Sequence, residues 1–277
     1  MTDVIDLPLS TRSEGQGTGH RPRIIAVANQ KGGVGKTTTT INLATALAAV
    51  NQRVLIVDLD PQGNASTGLG LRPSDRQISS YDVLINGNSL EEARQATAIP
   101  RLTIVPSGMD LSGAEIELVD FDRREMQLKE SLGKLPQDVD YVLIDCPPSL
   151  GLLTLNALVA SDAVLVPLQC EFFALEGISH LVRTIKRVKK AFNPDLEIQG
   201  IVLTMYDKRN NLSAQVANDV RDYFGDVVYR TVIPRNVRVS EAPSHGTPVL
   251  VYDIKCPGSR AYLNLASEVL KREGVKA

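Results

Sequence analysis

A lysine- and glycine-rich segment follows the first strongly apolar run of the chain. Residues 31–38 read Lys-Gly-Gly-Val-Gly-Lys-Thr-Thr, directly after Arg-Ile-Ile-Ala-Val-Ala at 23–28. A strand that leads through glycines into a helix presents backbone N–H groups and a helix N-terminus to an anion. In such a loop Lys36 can reach the terminal phosphates of a nucleotide, and the Thr37 hydroxyl can bind Mg²⁺ directly. The alternative is a glycine-rich turn that binds nothing. We predict a nucleotide site formed by Gly32, Gly33, Val34, Gly35, Lys36, Thr37 and Thr38.

Acidic residues stand at the ends of two further predicted strands. Asp58 closes the apolar run 54–58 with Asp60 two residues on, and Asp145 closes the run 141–145. Because ligands of open α/β sheets bind beyond the carboxyl ends of the strands, we expect these carboxylates to meet the glycine loop at one edge. At that edge Asp145 would hold a Mg²⁺-bound water. The alternatives are that Asp145 caps the next helix and that Asp60 belongs to a turn, since Asp-Pro-Gln-Gly is rich in turn residues.

Short apolar runs alternate with longer helical patterns after residue 22. Strands are predicted at 24–28, 54–58, 102–106, 141–145, 163–168, 198–203 and 228–233, and helices at 36–49, 152–160, 175–191, 213–224 and 260–271. This alternation predicts an α/β fold of three layers, in which helices flank both faces of a mostly parallel, twisted sheet. We expect one domain over 23–277 and a disordered tail over 1–22, since the tail is polar and lacks periodicity.

The composition favours an aliphatic α/β unit. Of the 277 residues, 43% are hydrophobic and none is tryptophan, which suits a sheet buried on both faces. Three cysteines without paired spacing argue against a disulfide framework or a zinc site and fit a reducing cytoplasm. Asp3 and Asp6 precede any apolar run, so we expect no signal peptide. The most apolar stretch, 152–168, is too short and too polar to span a bilayer.

The formal net charge of −2 conceals an asymmetry along the chain. Residues 1–179 hold 14 Lys and Arg against 22 Asp and Glu, whereas residues 180–277 hold 16 against 10. A basic C-terminal third could face an anionic polymer. The alternative is that its lysines and arginines lie on ordinary solvated helix faces.

The second lysine of the glycine loop, Lys31, carries a family resemblance. Lys-Gly-Gly-Val-Gly-Lys-Thr-Thr resembles the deviant Walker A motif of the ParA/MinD group of P-loop ATPases. Four further segments resemble the ParA/Soj-type chromosome partitioning branch: 58–64 (Asp-Leu-Asp-Pro-Gln-Gly-Asn), 145–149 (Asp-Cys-Pro-Pro-Ser), 171–177 and 233–243. The resemblance runs from about residue 23 to the C-terminus, and only 1–22 fall outside it.

The resemblance implies roles for individual residues. In the family the early lysine, here Lys31, crosses a dimer to the partner's nucleotide, as an arginine finger does elsewhere. Asp60 would be the switch I carboxylate that orients the attacking water and holds Mg²⁺ through water, and Asp58 would support the nucleotide site. Lys31, Lys36 and Asp60 are thus the predicted catalytic residues. Switch II would comprise Pro147, Pro148 and Gly151, and the loop with Pro234 and Asn236 would lie near the adenine. Cys146 is expected to be a small apolar filler.

The same resemblance implies partners. Two arginines that carry DNA binding in the Soj-like branch map to Arg209 and Arg238, and such binding is driven by phosphates and sensitive to salt. Arg183, Lys186, Arg187 and Lys190 recur at helical spacing and form either a second DNA-binding stripe or a solvated face. The last helix lacks the aromatic anchors and terminal basic extension of a membrane-binding helix, so no membrane partner is expected.

The sequence therefore predicts an ATP- and Mg²⁺-dependent ATPase of DNA segregation. It would form an ATP-bound homodimer on non-specific double-stranded DNA in the cytoplasm, at the nucleoid, and a ParB-type centromere-binding protein would stimulate its slow hydrolysis. Three alternatives stay open: a positioning ATPase with a protein cargo, a metal-cluster carrier, and an ATP-dependent small-molecule ligase. The cysteine spacing disfavours the carrier, and the Lys31 signature disfavours the ligase.

Overall fold

The computed structural model describes residues 21–171 and 174–275. Most of the predicted tail, 1–20, lies outside the described residues, and the domain boundary at residue 23 stays a prediction. The described strands form one sheet of eight strands in the order β3-β4-β2-β5-β1-β6-β7-β8. Their bounds are β1 Arg23–Val27, β2 Val54–Asp58, β3 Gln95–Ala96, β4 Leu102–Val105, β5 Tyr141–Asp145, β6 Ala163–Gln169, β7 Glu197–Tyr206 and β8 Val228–Pro234.

Neighbouring strands run parallel, apart from the short edge strand β3, which pairs antiparallel with β4. The strands β2, β5 and β1 lie side by side at the centre, and their residues are almost entirely buried. Continuous apolar runs of this kind are what a parallel sheet covered on both faces requires. The predicted α/β class and the mostly parallel sheet are confirmed.

Helices cover both faces of the sheet. Their bounds are α1 Lys36–Ala49, α2 Asn64–Gly68, α3 Leu90–Ala93, α4 Leu111–Glu117, α5 Gln127–Leu132, α6 Leu152–Ala160, α7 Ala174–Ala191, α8 Asn211–Phe224, α9 Val237–Glu241, α10 Val249–Tyr252 and α11 Pro257–Arg272. Helices α1, α2, α10 and α11 share one apolar core with one face of the sheet, and α3 to α8 share a second core with the other face. The three predicted layers are therefore present.

The long helices differ in how much of their surface they bury. Helix α1 is buried along most of its length because α2, α10 and α11 surround it. Helix α7 buries one apolar stripe and leaves a basic stripe in water, the pattern of a helix at the surface of a domain. Nowhere in 21–171 or 174–275 does a helix have the length and apolarity needed to cross a bilayer.

Candidate active site

The glycine loop joins the buried strand β1 to helix α1 and curls into an open cradle. Gly33 and Gly35 adopt left-handed backbone conformations with φ of 74° and 89°, which favour glycine because it has no Cβ. A Cβ built on Gly33 would meet nothing within 4 Å, so the space above the loop is open to a ligand. Gly35 is the N-cap of α1 and, as a glycine, brings no side chain to the first-turn N–H groups. These groups are left to face an anion.

Two polar side chains, one just after β1 and one on β7, hold the loop in this shape. The Asn29 amide donates to the carbonyl of Pro167 at 2.7 Å, and its Oδ1 accepts from the Lys31 backbone N–H at 3.0 Å. Thr204, on β7, donates from its hydroxyl to the carbonyl of Val34 at 2.8 Å. Sequence reasoning missed both residues. The signal for Asn29 was a polar residue directly after a buried strand, but Thr204 lies 170 residues from its partner.

Lys36 reaches back along the loop. Its ammonium donates to the carbonyl of Lys31 at 3.2 Å, and the side chain is only 7% exposed. Burial lowers the pKa of Lys36, while the nearby carboxyls of Asp145 and Asp60 oppose the shift. The cation therefore lies between the open cradle and the acidic edge of the sheet.

The predicted meeting of the carboxylates at one edge is confirmed. Asp58 and Asp145 end the adjacent strands β2 and β5 and stand opposite each other in the parallel register. Both side chains are fully buried. Burial raises the pKa of Asp58 to about 6, and burial followed by the charge of Asp58 raises the pKa of Asp145 well above its ordinary value. Two ionised carboxyls so close together call for a cation between or beside them.

Both carboxylate oxygens of Asp58 accept hydrogen bonds from neighbouring groups of the chain. Its Oδ1 accepts from the Asp60 backbone N–H at 3.2 Å, and its Oδ2 accepts from the backbone and hydroxyl of Ser66 at 2.9 and 2.7 Å. The Ser66 hydroxyl in turn accepts from the Ser107 N–H at 3.0 Å. These bonds tie Asp58 to the loop that follows β2, and its support of the nucleotide site stays a prediction. Ser66 and Ser107 were not predicted.

Asp60 lies in a turn and still presents a carboxylate, so the two interpretations of this segment are compatible. The Gly63 N–H donates to the Asp60 carbonyl at 2.8 Å and closes the turn. The Ser107 hydroxyl donates to the same carbonyl at 2.7 Å. One carboxylate oxygen, Oδ1, accepts from the Gln62 N–H at 3.0 Å. The side chain is 7% exposed and lies near Lys36 and Asp145.

The oxygen groups at this edge fit a hard divalent cation. The Thr40 hydroxyl donates to Asp145 Oδ1 at 3.1 Å, whereas Oδ2 is buried without a hydrogen-bond partner among the described residues. The Thr37 hydroxyl lies beside the same carboxylate and, with Thr40, opposes the rise of its pKa. Hydroxyl, carboxylate and water oxygens are the ligands that Mg²⁺ prefers. The orphaned oxygen of Asp145 is therefore well placed to accept from a metal-bound water.

Lys31 pairs with an acidic residue of its own subunit. Its ammonium lies 2.5 Å from Oε2 of Glu171, just after β6. The side chains are 43% and 47% exposed, so the pair lies at the rim of the site. The Gln169 amide contacts the other oxygen of Glu171. Lys31 and Glu171 are 140 residues apart, and no local pattern announces the pair.

The predicted switch II segment connects β5 to α6 beside the carboxylates. Pro147 is buried and Pro148 is exposed. Gly151 is the N-cap of α6, and a Cβ there would overlap the carboxylate of Glu115 on α4. Cys146 is fully buried, and burial raises the pKa of its thiol, as expected for a filler.

The ends of β7 and β8 border the loop on its other side. The Arg235 N–H donates to the Tyr206 carbonyl at 3.0 Å, and Pro234 stands opposite Tyr206 in the sheet register. Met205, which was not predicted, approaches to 3.8 Å of a Cβ built on Gly35. The Asn236 side chain caps α9 by accepting from the Val239 N–H at 3.4 Å. Pro234 and Asn236 therefore lie at the carboxyl end of β8, and their place near the adenine stays a prediction.

The predicted DNA contacts fall into two groups. Arg209 is 89% exposed and forms a bidentate pair with Asp207 at 3.0 and 2.9 Å, which lowers the pKa of Asp207 to about 2. Arg238, on α9, is half-exposed and pairs with Glu241 at 3.0 Å. Both follow strands at the edge of the sheet that carries the glycine loop. The stripe lies on the exposed side of α7, in the layer that also contains α8: Arg183, Lys186, Arg187 and Lys190.

Comparisons with known proteins agree with this geometry. A family model described as an AAA domain matches residues 22–198. The chromosome partitioning protein ParA of Caulobacter vibrioides is 61% identical over 253 residues, which cover 91% of this chain and 95% of that protein. The sporulation initiation inhibitor protein Soj of Bacillus subtilis is 53% identical over 89% of this chain and 98% of its own.

A solved structure is also similar throughout. Cobyrinic acid a,c-diamide synthase from Mycobacterium smegmatis, solved with a bound ATP analogue and magnesium, superposes with a TM-score of 0.80 at 41% identity. The match covers 90% of this chain and 95% of that one. Identity above one half to this ParA protein and this Soj protein, matched over 95% and 98% of their lengths, places the chain by sequence as well as by fold. The chain belongs to the ParA/Soj-type family of chromosome partitioning ATPases.

Proposed function

We propose that this protein is an ATPase that segregates DNA in the cytoplasm, at the nucleoid. ATP would join two copies of the chain into a sandwich dimer that binds double-stranded DNA without sequence preference. Hydrolysis, stimulated by a ParB-type centromere-binding partner, would release the DNA and so move a chromosome or plasmid. The observation that carries the proposal is the 61% identity with a chromosome partitioning protein across 91% of the chain.

The site supports hydrolysis of a nucleoside triphosphate. Backbone N–H groups of the loop and the Lys36 ammonium would hold the phosphates of ATP, the substrate. Thr37 would hold Mg²⁺ directly, and Asp60 and Asp145 would hold it through water. The bound ion would neutralise the negative charge that develops on the phosphates. Asp60 would accept a hydrogen bond from the attacking water and align it, which suits a carboxylate in a turn that Ser107 and Gly63 hold firmly.

The position of Lys31 supports a role across a dimer. Its ammonium lies at the rim of the cradle rather than inside it, and Lys36 already occupies the interior. From the rim Lys31 would leave Glu171 and reach the phosphates bound by the partner subunit. Two ATP molecules would then lie between the two faces, so that hydrolysis removes the link between the subunits.

The exposure of the basic residues supports binding to a phosphate backbone. Arg209 presents its guanidinium to solvent, held in place by Asp207. Phosphate oxygens can replace those of Asp207, since both accept the planar guanidinium in bidentate geometry. Arg238 lies at the same edge of the sheet. A contact of this kind carries no sequence information and weakens as salt rises.

DNA retention in each nucleotide state tests the proposal. We expect the wild type to retain DNA with ATP or a non-hydrolysable analogue, to release it with ADP, and to bind less at moderate than at low salt. Arg209→Glu should dimerise on ATP but lose DNA, and Lys31→Ala should bind nucleotide but lose both dimer and DNA. Arg72→Glu is the matched control, because Arg72 is 79% exposed and paired with Asp75 in the same way. A wild-type protein that retains no DNA in any state would reject the proposal.

An amide-forming ligase is the second candidate, favoured by the 41% identity to a diamide synthase. The higher identity to the ParA and Soj proteins outweighs it. If ATP turnover required ammonia and a carboxylic acid and did not change with DNA or the partner, the ligase would become the preferred function. A cluster carrier would need reactive thiolates, whereas burial raises the pKa of Cys146 and brings that of Cys170 to about 11.

A further inference from the structure

An acidic and apolar surface lies beside switch II, outside the nucleotide site. We name it the α4 surface and define it by Met109, Ile116, Val119 and Leu150 with the carboxylates around them. Met109, Ile116 and Val119 are 67%, 77% and 53% exposed, and Leu150, just before Gly151, is 36% exposed. Ile116 follows Met109 by about two helical turns, and Val119 follows Ile116 by about one. The three side chains therefore share one side of α4 and of the short turns that precede and follow it. Large apolar side chains grouped in this way mark interaction surfaces.

The charge of this surface is mainly negative. The segment 109–122 contains five carboxylates and no Lys or Arg. Within 21–171 and 174–275 none of the five forms an ion pair; the Tyr81 hydroxyl donates to Glu117 at 3.1 and 3.2 Å. Of the next two arginines, Arg123 pairs with Glu130 at 3.1 Å, whereas Arg124 donates to the Val119 carbonyl and so lies at the border of the surface. The five carboxylates are Asp110, Glu115, Glu117, Asp120 and Asp122.

One of these carboxylates touches switch II. Glu115 packs against the backbone of Gly151, the N-cap of α6, where a Cβ would overlap its oxygen. That oxygen, Oε1, is buried without a hydrogen-bond partner among the described residues. An incoming cationic group could satisfy it. A ligand on the α4 surface would therefore act on the segment that follows Asp145.

We propose that the α4 surface is the docking site for a basic, amphipathic helical segment of the partner that stimulates hydrolysis. Apolar side chains of that segment would cover Ile116 and Leu150, and its Lys and Arg would pair with the surrounding carboxylates. Pairing at Glu115 would then bias the position of Gly151 and the carboxylate edge behind it. The inference rests on the proposed function and adds to it the place where the partner acts.

Peptide binding tests the surface directly. The probe is a fluorescent peptide of about 16 residues, four helical turns, built from Leu and Lys so that Leu follows helical spacing. We expect it to bind the full chain, and a scrambled peptide of the same composition to bind less. Ile116→Lys and Asp120→Lys should each weaken binding at least tenfold. Both residues are exposed, so folding should survive. Val251→Lys is the control, because Val251 is 57% exposed in the other layer.

The same variants then separate this inference from the proposed function. Ile116→Lys and Asp120→Lys should keep ATP-dependent dimerisation and DNA retention but lose stimulation of ATP turnover by the ParB-type partner. Equal peptide binding and equal stimulation in wild type and variants would overturn the inference while the proposed function stands. Loss of ATP-dependent dimerisation in Ile116→Lys would also overturn it and make the surface an interface between copies of the chain. If the wild type showed no ATP-dependent DNA retention, the proposed function itself would be wrong.

Discussion

The ion pair between Lys31 and Glu171 predicts that the free chain restrains its own dimerisation. Lys31 can reach a partner's nucleotide only after it leaves Glu171. We therefore expect Glu171→Gln to dimerise at lower protein concentration in the presence of a non-hydrolysable ATP analogue. Glutamine keeps the size of the side chain and can still accept from the Gln169 amide, so the change removes the charge and little else.

The magnitude follows from the exposure of the pair. Both side chains are nearly half exposed, at 43% and 47%, and pairs of this kind contribute about 0.2–1 kcal/mol. A symmetric dimer would break two of them, which gives about 0.4–2 kcal/mol. The dimer dissociation constant should therefore fall by about 2- to 30-fold. Raising the salt concentration should shrink the difference, since screening weakens the pair in the wild type.

Sedimentation velocity across a range of protein concentrations measures this shift. Glu171→Asp is the matched control, because it keeps the charge, and Lys31→Ala should not dimerise at all. If Glu171→Gln dimerised as weakly as the wild type, or more weakly, the pair would not restrain the chain. Glu171 would then serve the dimer itself.

Three further predictions concern the carboxylate edge and the turn after β2. Gly63 has a φ of 60° and a Cβ there would lie 2.8 Å from the Ser107 carbonyl, so Gly63→Ala should lower the free energy of unfolding by roughly 1–3 kcal/mol. Gly108→Ala, which meets nothing within 4 Å, is its control in thermal unfolding. Thr40→Val removes a donor to Asp145 and should weaken Mg²⁺-dependent nucleotide binding several-fold near pH 7, with recovery at higher pH. Because burial raises the pKa of Asp58 from 3.8 to about 6, the folded, nucleotide-free chain retains a proton that the unfolded chain loses. The contribution of Asp58 to the free energy of unfolding is therefore fully present below its unfolded pKa and falls by about 2–3 kcal/mol as pH rises through 6; urea titrations at about pH 4.5 and 7.5 would reveal a flat or rising stability if this reasoning is wrong.

The elements that bury long apolar runs were predictable from the sequence. The bounds of β2, β5, α1 and α6 agree with the predicted runs at both ends, since apolar runs and glycine or proline boundaries coincide there. The strand β3 was missed because it has two residues, neither of them strongly apolar, and owes its pairing to β4. The six helices of four to seven residues were missed because so short a segment shows no helical period.

The residues of the site also fall into two groups: those that a local pattern predicts and those that come from distant parts of the chain. The loop, Asp60 and Asp145 were found because each follows a strand, and parallel strands bring their carboxyl ends to one edge. The residues that hold them in place come from elsewhere in the chain: Thr204 from β7, Ser107 after β4 and Glu171 after β6. The packing of the sheet determines such partners, and contacts between distant residues produce no regular spacing in the sequence from which to predict them.

The supporting residues also connect the two loops at this edge of the sheet, the turn after β2 and switch II after β5. Asp58 links the turn of Asp60 to Ser66 at the start of α2, and the Ser66 hydroxyl continues to Ser107. Asp145, opposite Asp58, leads directly into switch II and the contact between Gly151 and Glu115. A change in charge at the two buried carboxyls is therefore felt in two loops at once, because each carboxyl is bonded into, or followed by, one of them. Coupling of this kind needs no long pathway: the two strands that carry the carboxyls are hydrogen-bonded neighbours.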